Sequence, residues 1–112
     1  METHTLPFLD ADYENFQMIK DGTKEIETRV AAPKYQDIQE GDVLKFTCKG
    51  ESLEKVIEKI HHWQSVDEML ETLSVSDVMP NAETKEELLE AYDSYPNYKE
   101  NMEKYGIFGF LI

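Results

Sequence analysis

The alternation of hydrophobic and polar positions divides the chain into a strand-rich first half and a helical second half that closes on an apolar tail. Leu6 to Leu9 is a short apolar entry, after which Tyr13, Phe16 and Ile19 recur at helical spacing. Asp10 stands where an N-cap is expected, Asp12 and Glu14 place negative charge in the first turn, and Lys20 and then Gly22 close the helix. Residues 24 to 30 alternate and contain Ile, Thr and Val, which predicts a strand. Successive strand side chains point to opposite faces. Glu27 and Arg29 therefore share one face, while Ile26, Thr28 and Val30 share the other.

Ala31 to Glu40 reads as a connector containing Pro33 and Tyr35, and Gly41-Asp42 as a structural turn into a second strand, residues 43 to 48. There Leu44, Phe46 and Cys48 fall on one face, and Lys49-Gly50-Glu51 follows as a hairpin loop. Residues 52 to 63 support two readings. Leu53, Val56, Ile57 and Ile60 fit the stripe of an amphipathic helix that Ser52 would cap, and local pattern favours that helix. The competing reading is a Val- and Ile-bearing strand paired across the hairpin. Ser65-Val66-Asp67-Glu68 and Thr84-Lys85-Glu86-Glu87 are capping boxes, opening helices that carry Met69, Leu70 and Leu73, and Leu88, Leu89, Ala91 and Tyr92. Pro96 closes the second of these. A short helix over residues 98 to 105 ends at Gly106, and residues 107 to 112 form a final strand. A chain of 112 residues with no linker or repeat predicts one domain spanning residues 1 to 112.

Composition narrows the function classes. The lone Cys48 has no internal disulfide partner, which fits a reducing, cytoplasmic compartment. No apolar run approaches the roughly 18 residues of a membrane span, and the N-terminus lacks the pattern of a signal peptide. Eleven basic residues stand against 24 acidic ones, a net charge of −13. Such a surface does not suit a broad grip on duplex DNA, which draws its affinity from Lys and Arg neutralising phosphates. Eight of the basic residues lie in the first 60 positions, so an anion site belongs to that half. His61-His62 offers no chelating pair, since adjacent strand residues diverge; neither a metal nor a cofactor is expected.

The chemistry concentrates in Gly22-Thr23-Lys24-Glu25-Ile26-Glu27-Thr28-Arg29, which holds the only arginine. Lys24 supplies a mobile point charge, Arg29 a planar fork for a phosphate or a base edge, and Glu27 either a hydrogen-bond acceptor or a clamp for Arg29. The plain alternative is a solvated salt bridge of little energetic consequence.

The Gly-x-Lys-x-x-Glu-x-Arg pattern at Gly22, Lys24, Glu27 and Arg29 follows a helix and precedes Gly41-Asp42-Val43-Leu44-Lys45-Phe46. With the tail Lys104-Tyr105-Gly106-Ile107-Phe108-Gly109-Phe110, it resembles the ASCH domain of the PUA-like superfamily. The resemblance implies an α+β fold: a small, partly closed β-barrel of five or six strands in a mixed sheet, with helices packed around it. It also implies that residues 53 to 62 are one long barrel strand, against their local helical pattern. Family members are taken to bind RNA or nucleotide-like ligands, so RNA or a small nucleotide or nucleoside is the expected partner. The ligand contacts implied are Gly22, Thr23, Lys24, Glu27 and Arg29 in the motif, with Lys45, Trp63 and Tyr105 beyond it and Tyr35 as a further stacking ring. One branch is similar to acetylcytidine amidohydrolases, which use a lysine, a threonine and a glutamate. Lys24 matches that lysine, but Glu27 stands in the threonine's place, Thr28 faces the other way, and Asn81 or Glu83 is nearest to the glutamate. Two alternatives to binding follow: a small hydrolase acting on a modified nucleoside or on RNA through Lys24 and Glu27, and an acidic protein-interaction domain using residues 65 to 105.

Overall fold

The structure is a computed structural model describing residues 1–112. Its strands and helices follow in the order β1 (Thr3–Pro7), α1 (Tyr13–Lys20), β2 (Ile26–Val30), β3 (Val43–Cys48), β4 (Glu51–Val56), β5 (Lys59–Trp63), α2 (Val66–Thr72), α3 (Val75–Val78), α4 (Lys85–Asp93), α5 (Tyr98–Tyr105) and β6 (Ile107–Leu111). The fold is α+β. Its six strands form two three-stranded sheets, ordered β1-β3-β4 and β2-β6-β5, rather than one mixed sheet. β1 runs parallel to β3, and every other pairing is antiparallel. No backbone ladder joins β1 to β2, the outer strands on one side.

The segment expected as a single long strand is extended, but it is two strands with a corner between them. β4 belongs to the first sheet and β5 to the second. At the corner Ile57 donates to the Asp42 carbonyl, and the next amide, Glu58, donates to Leu111 in the other sheet. The helical reading fails for a packing reason. It needs Val56 on the buried stripe, yet in the strand Val56 is 55% exposed while Ile57 is buried at the corner. Leu53, directly across from Phe46, faces the core as the alternation of a strand requires.

Two further expectations change. A full strand, β1, starts at Thr3 and takes in only Leu6 and Pro7 of the apolar entry, and no local signal announces its parallel pairing to β3. Asp10 opens a 3₁₀ turn over Asp10–Asp12 instead of capping α1, and the N-cap position falls to Asp12, whose side chain bonds to no helix amide. In the helical half, Ser65 and Thr84 accept from the amides of Glu68 and Glu87 as their spacing requires. α3, capped by Ser74 and Asp77, is an added turn.

The hydrophobic residues form two clusters on opposite faces of the second sheet. Between the sheets lie Leu6, Phe16, Ile19, Leu44, Phe46, Ile57 and Phe110, all at most 1% exposed. Outside the second sheet, Trp63, Val66, Met69, Val78, Leu88, Tyr92 and Ile107 join it to the helices. β6 serves both, with Phe110 turned toward the first cluster and Ile107 toward the second. β2 behaves likewise. Glu27 lies across from Phe110 and so faces the space between the sheets, while Thr28 on the other face hydrogen-bonds Tyr92 at 2.7 Å. Close packing demands glycine at two points of the tail. At Gly106 (φ +84°) a Cβ would lie 2.5 Å from the Trp63 carbonyl oxygen, and at Gly109 it would lie 2.4 Å from the Trp63 ring. Gly109→Ala should therefore cost about 1 to 3 kcal/mol through overpacking, read as a melting temperature lower by several degrees. A variant melting with the parent would show that the indole yields freely.

Candidate ligand-binding site

The backbone between α1 and β2 builds the site. Gly22 adopts φ +86°, a left-handed conformation that ends the helix at little cost, and the Lys24 amide returns to the Met18 carbonyl at 2.9 Å. Thr23 is exposed, and its amide donates to the Asp21 carboxylate. Gly22 and Thr23 thus shape the turn that sends the Lys24 side chain inward, where it meets Glu27.

Lys24 Nζ lies 3.0 Å from Glu27 Oε1, and Arg29 Nε lies 3.0 Å from Glu27 Oε2. The Lys24 and Glu27 side chains are each 3% exposed, and Arg29 is 17% exposed. Burial by itself pushes the Glu27 carboxyl up. The charges of Lys24 and Arg29, and their hydrogen bonds, outweigh burial and hold it below the usual carboxylate range. Burial works against the Arg29 cation, and Glu27 and then Tyr35 more than restore it. The trio carries a net positive charge because one carboxylate serves two cations. An inward ion pair of this kind is poor evidence for stability, since desolvation offsets the attraction; what it does fix is the position of Arg29.

That position opens on a cavity. With Nε committed to Glu27, both terminal nitrogens of Arg29 point past the Pro7 carbonyl, each at a long 3.4 Å. The guanidinium plane lies over Phe8, with Cζ 4.9 Å from the ring centre. The cavity beyond holds about 350 Å³ and is lined by Phe8, Asp12, Arg29, Lys34, Tyr35, Tyr95, Tyr98 and Asn101, among others. Tyr98 stacks on Tyr92 at 4.7 Å, and its buried hydroxyl has no hydrogen-bond partner. Burial first, then neighbouring charge, pushes the hydroxyls of Tyr95 and Tyr98 up, so both are neutral donors at physiological pH. Lys34 lies over the Tyr35 ring at 5.0 Å.

Of the residues the sequence singled out, the structure gathers Lys24, Glu27 and Arg29 into one chain of contacts, but only Arg29 lines the cavity, joined there by Tyr35. Lys45 sits on β3 opposite Thr5 and Glu54, on the face away from Leu44 and Phe46. Trp63 is 5% exposed in the second core, stacked on His61. Tyr105 ends α5, where its carbonyl contacts the His62 ring at 2.9 Å. Asn81 and Glu83 are exposed before α4. Phe8, Asp12, Lys34, Tyr95, Tyr98 and Asn101 also line the cavity, and the sequence pattern did not mark them as site residues. One clue was present: Tyr95 stands beside Pro96 between two helices, where an aromatic residue has no helix stripe to join. Elsewhere, Glu2, His4 and Asp42 place ligand atoms within 4.8 Å of one another. The Asp42 oxygens there already accept from Glu2 N, His4 Nε2 and Gln39 N, a clasp on the turn before β3.

A sequence profile of the ASCH domain matches residues 9–112. The chain belongs to the ASCH domain family. Two solved structures share its architecture. The crystal structure of hypothetical protein PH0355 superposes with a TM-score of 0.83 at 28% identity, covering 99% of this chain and 96% of that one. The solution structure of protein PF0455 from Pyrococcus furiosus gives 0.76 at 29% identity, covering 99% and 94%. No curated protein matches the chain. No helix of this ASCH domain is long and apolar enough to cross a membrane.

Glu27→Gln removes the one negative charge between two buried cations and should cost this ASCH domain about 3 to 5 kcal/mol, measured by urea unfolding. The sign of the pH effect follows from the lowered carboxyl. Stability from ionised Glu27 is complete above its unfolded value of about 4.3 and is lost as pH falls through the lower folded value. The parent should therefore lose stability below about pH 4 faster than Glu27→Gln does. Parallel acid profiles would remove Glu27 from that account.

Proposed function

We propose that this ASCH domain binds an unstacked nucleotide unit, free or within single-stranded RNA, in the Arg29 cavity. The observation carrying this reading is the arginine itself. Its Nε is tied to a buried carboxylate and its face lies on Phe8, yet both terminal nitrogens meet a cavity rich in tyrosine. A guanidinium held this way has lost its conformational freedom before any ligand arrives, which is what preorganisation for a base edge or phosphate requires. Tyr35, Tyr95 and Tyr98 provide rings for stacking and hydroxyls for polar contacts, the means by which proteins read unpaired bases. Lys34 supplies a second positive charge. Within the family, the reading places this chain in the branch carrying glutamate, not threonine, at the Glu27 position.

The hydrolytic alternative asks Glu27 to position water and Lys24 to act as base. Both Glu27 oxygens are engaged and Lys24 lies against one of them, neither on the cavity lining. The geometry therefore favours binding, with Lys24 and Glu27 as supports for Arg29.

Isothermal titration with nucleoside monophosphates and short single-stranded RNA tests the reading, with the two ligand sets separating free from polymeric nucleotides. Arg29→Ala should weaken binding at least about tenfold, the effect expected of a lost charge-assisted contact. Two cations at the site predict a shallow salt dependence, with a log–log slope near −1.4 from about 0.7 per phosphate contact. Unchanged affinity in Arg29→Ala, or a slope several times steeper, would overturn the proposal.

A further inference from the structure

Resting on the nucleotide reading, we propose that the base recognised in the Arg29 cavity is guanine. Asp12 lines the same cavity. An aspartate at a helix N-cap ordinarily accepts from the amides of the first turn. Asp12 occupies that position at α1 without making the bond. It also takes part in none of the molecule's ion pairs, although Arg29 and Lys34 line the cavity with it. Its near neighbour is Tyr95, whose hydroxyl is pushed up by burial first, then by the Asp12 charge and by a hydrogen bond donated to that carboxylate. That one bond leaves most of the carboxylate's acceptor capacity open, since its two oxygens offer about four lone-pair sites.

An ionised carboxylate only accepts, and its two oxygens match two parallel N–H donors. Among the standard bases, guanine alone sets two donors side by side, at N1 and N2. Adenine and cytosine place one amine beside an acceptor, and uracil places one N–H between two carbonyls. Guanine's other edge offers O6 and N7, a pair of acceptors that suits an arginine fork. Arg29 presents such a fork, its terminal nitrogens at a long 3.4 Å from the Pro7 carbonyl and beside Tyr35. The lining thus holds an acceptor suited to guanine's donors and a donor suited to guanine's acceptors. Lys34 on the same lining adds a charge for phosphate.

The test compares guanosine, inosine and adenosine monophosphates on the unaltered protein by titration calorimetry. Inosine differs from guanosine only in lacking the N2 amine, so the comparison isolates the contact assigned to Asp12. Guanosine monophosphate should bind about tenfold or more tightly than inosine monophosphate, within the range of a bidentate base contact. In Asp12→Asn, confirmed folded by its thermal transition, that ratio should collapse toward one. Equal affinity for the three nucleotides, with binding still lost in Arg29→Ala, would overturn the guanine assignment and leave the nucleotide reading standing. Failure of every nucleotide to bind would overturn both.

Discussion

The carboxylate of Glu27 is the point on which the inner face of the second sheet depends. It lies across from Phe110, in space otherwise filled by hydrocarbon, and two cations converge on it. An unpaired charge there would be costly, and a single cation would leave one oxygen without an ionic partner. Lys24 reaches Glu27 because Gly22 turns the chain sharply out of α1. Arg29 reaches it because residues two apart on a strand share a face. The motif is thus a folding constraint and a positioning device at once. The spacing that satisfies the carboxylate also sets the direction of the guanidinium.

This arrangement explains how legible the chain was. Where a segment is half buried, its pattern carries its structure: the alternation over residues 43 to 48 and the caps at Ser65 and Thr84 read correctly. Glu68 and Glu87, however, accept from the amides of Gln64 and Glu83 and leave both capping boxes unclosed. The pairing of Glu27 with Arg29 was likewise visible, since the period of a strand requires it. The face on which they lie was not. A charged pair on a strand usually faces water, and only the register of β2 against β6, with Glu27 beside Phe110, reveals the opposite.

The misreadings share a cause, which is that long-range contacts overrode local signals. Residues 52 to 63 carry a helical stripe, but the hairpin at Lys49-Gly50 pairs β4 with β3, and the corner at Ile57 redirects β5 to β6. β1 is a strand because β3 offers it an edge. The cavity was hidden for the same reason. Its walls come from the end of β1, the turn before α1, β2, the connector after β2, the break after α4 and the start of α5, segments distant in sequence. Trp63 and Tyr105 were sound aromatic candidates by composition. Their roles, filling the groove over Gly109 and ending α5, depend on contacts that spacing does not encode.

The charge distribution bears on what such a cavity can admit. A net charge of −13 produces a repulsive field for polyanions over most of the surface, within roughly a Debye length of 8 Å at physiological salt. Against that field stands a partly buried trio of net positive charge with Arg29 at its open end. Low-dielectric walls strengthen that local attraction, whereas solvent screens the surface repulsion. The balance favours a small or single-stranded anion that enters the cavity over a duplex that must lie along the surface. On the nucleotide reading proposed above, selectivity comes from depth, with one well-held arginine inside a cavity taking the place of the many exposed cations that backbone-gripping proteins use.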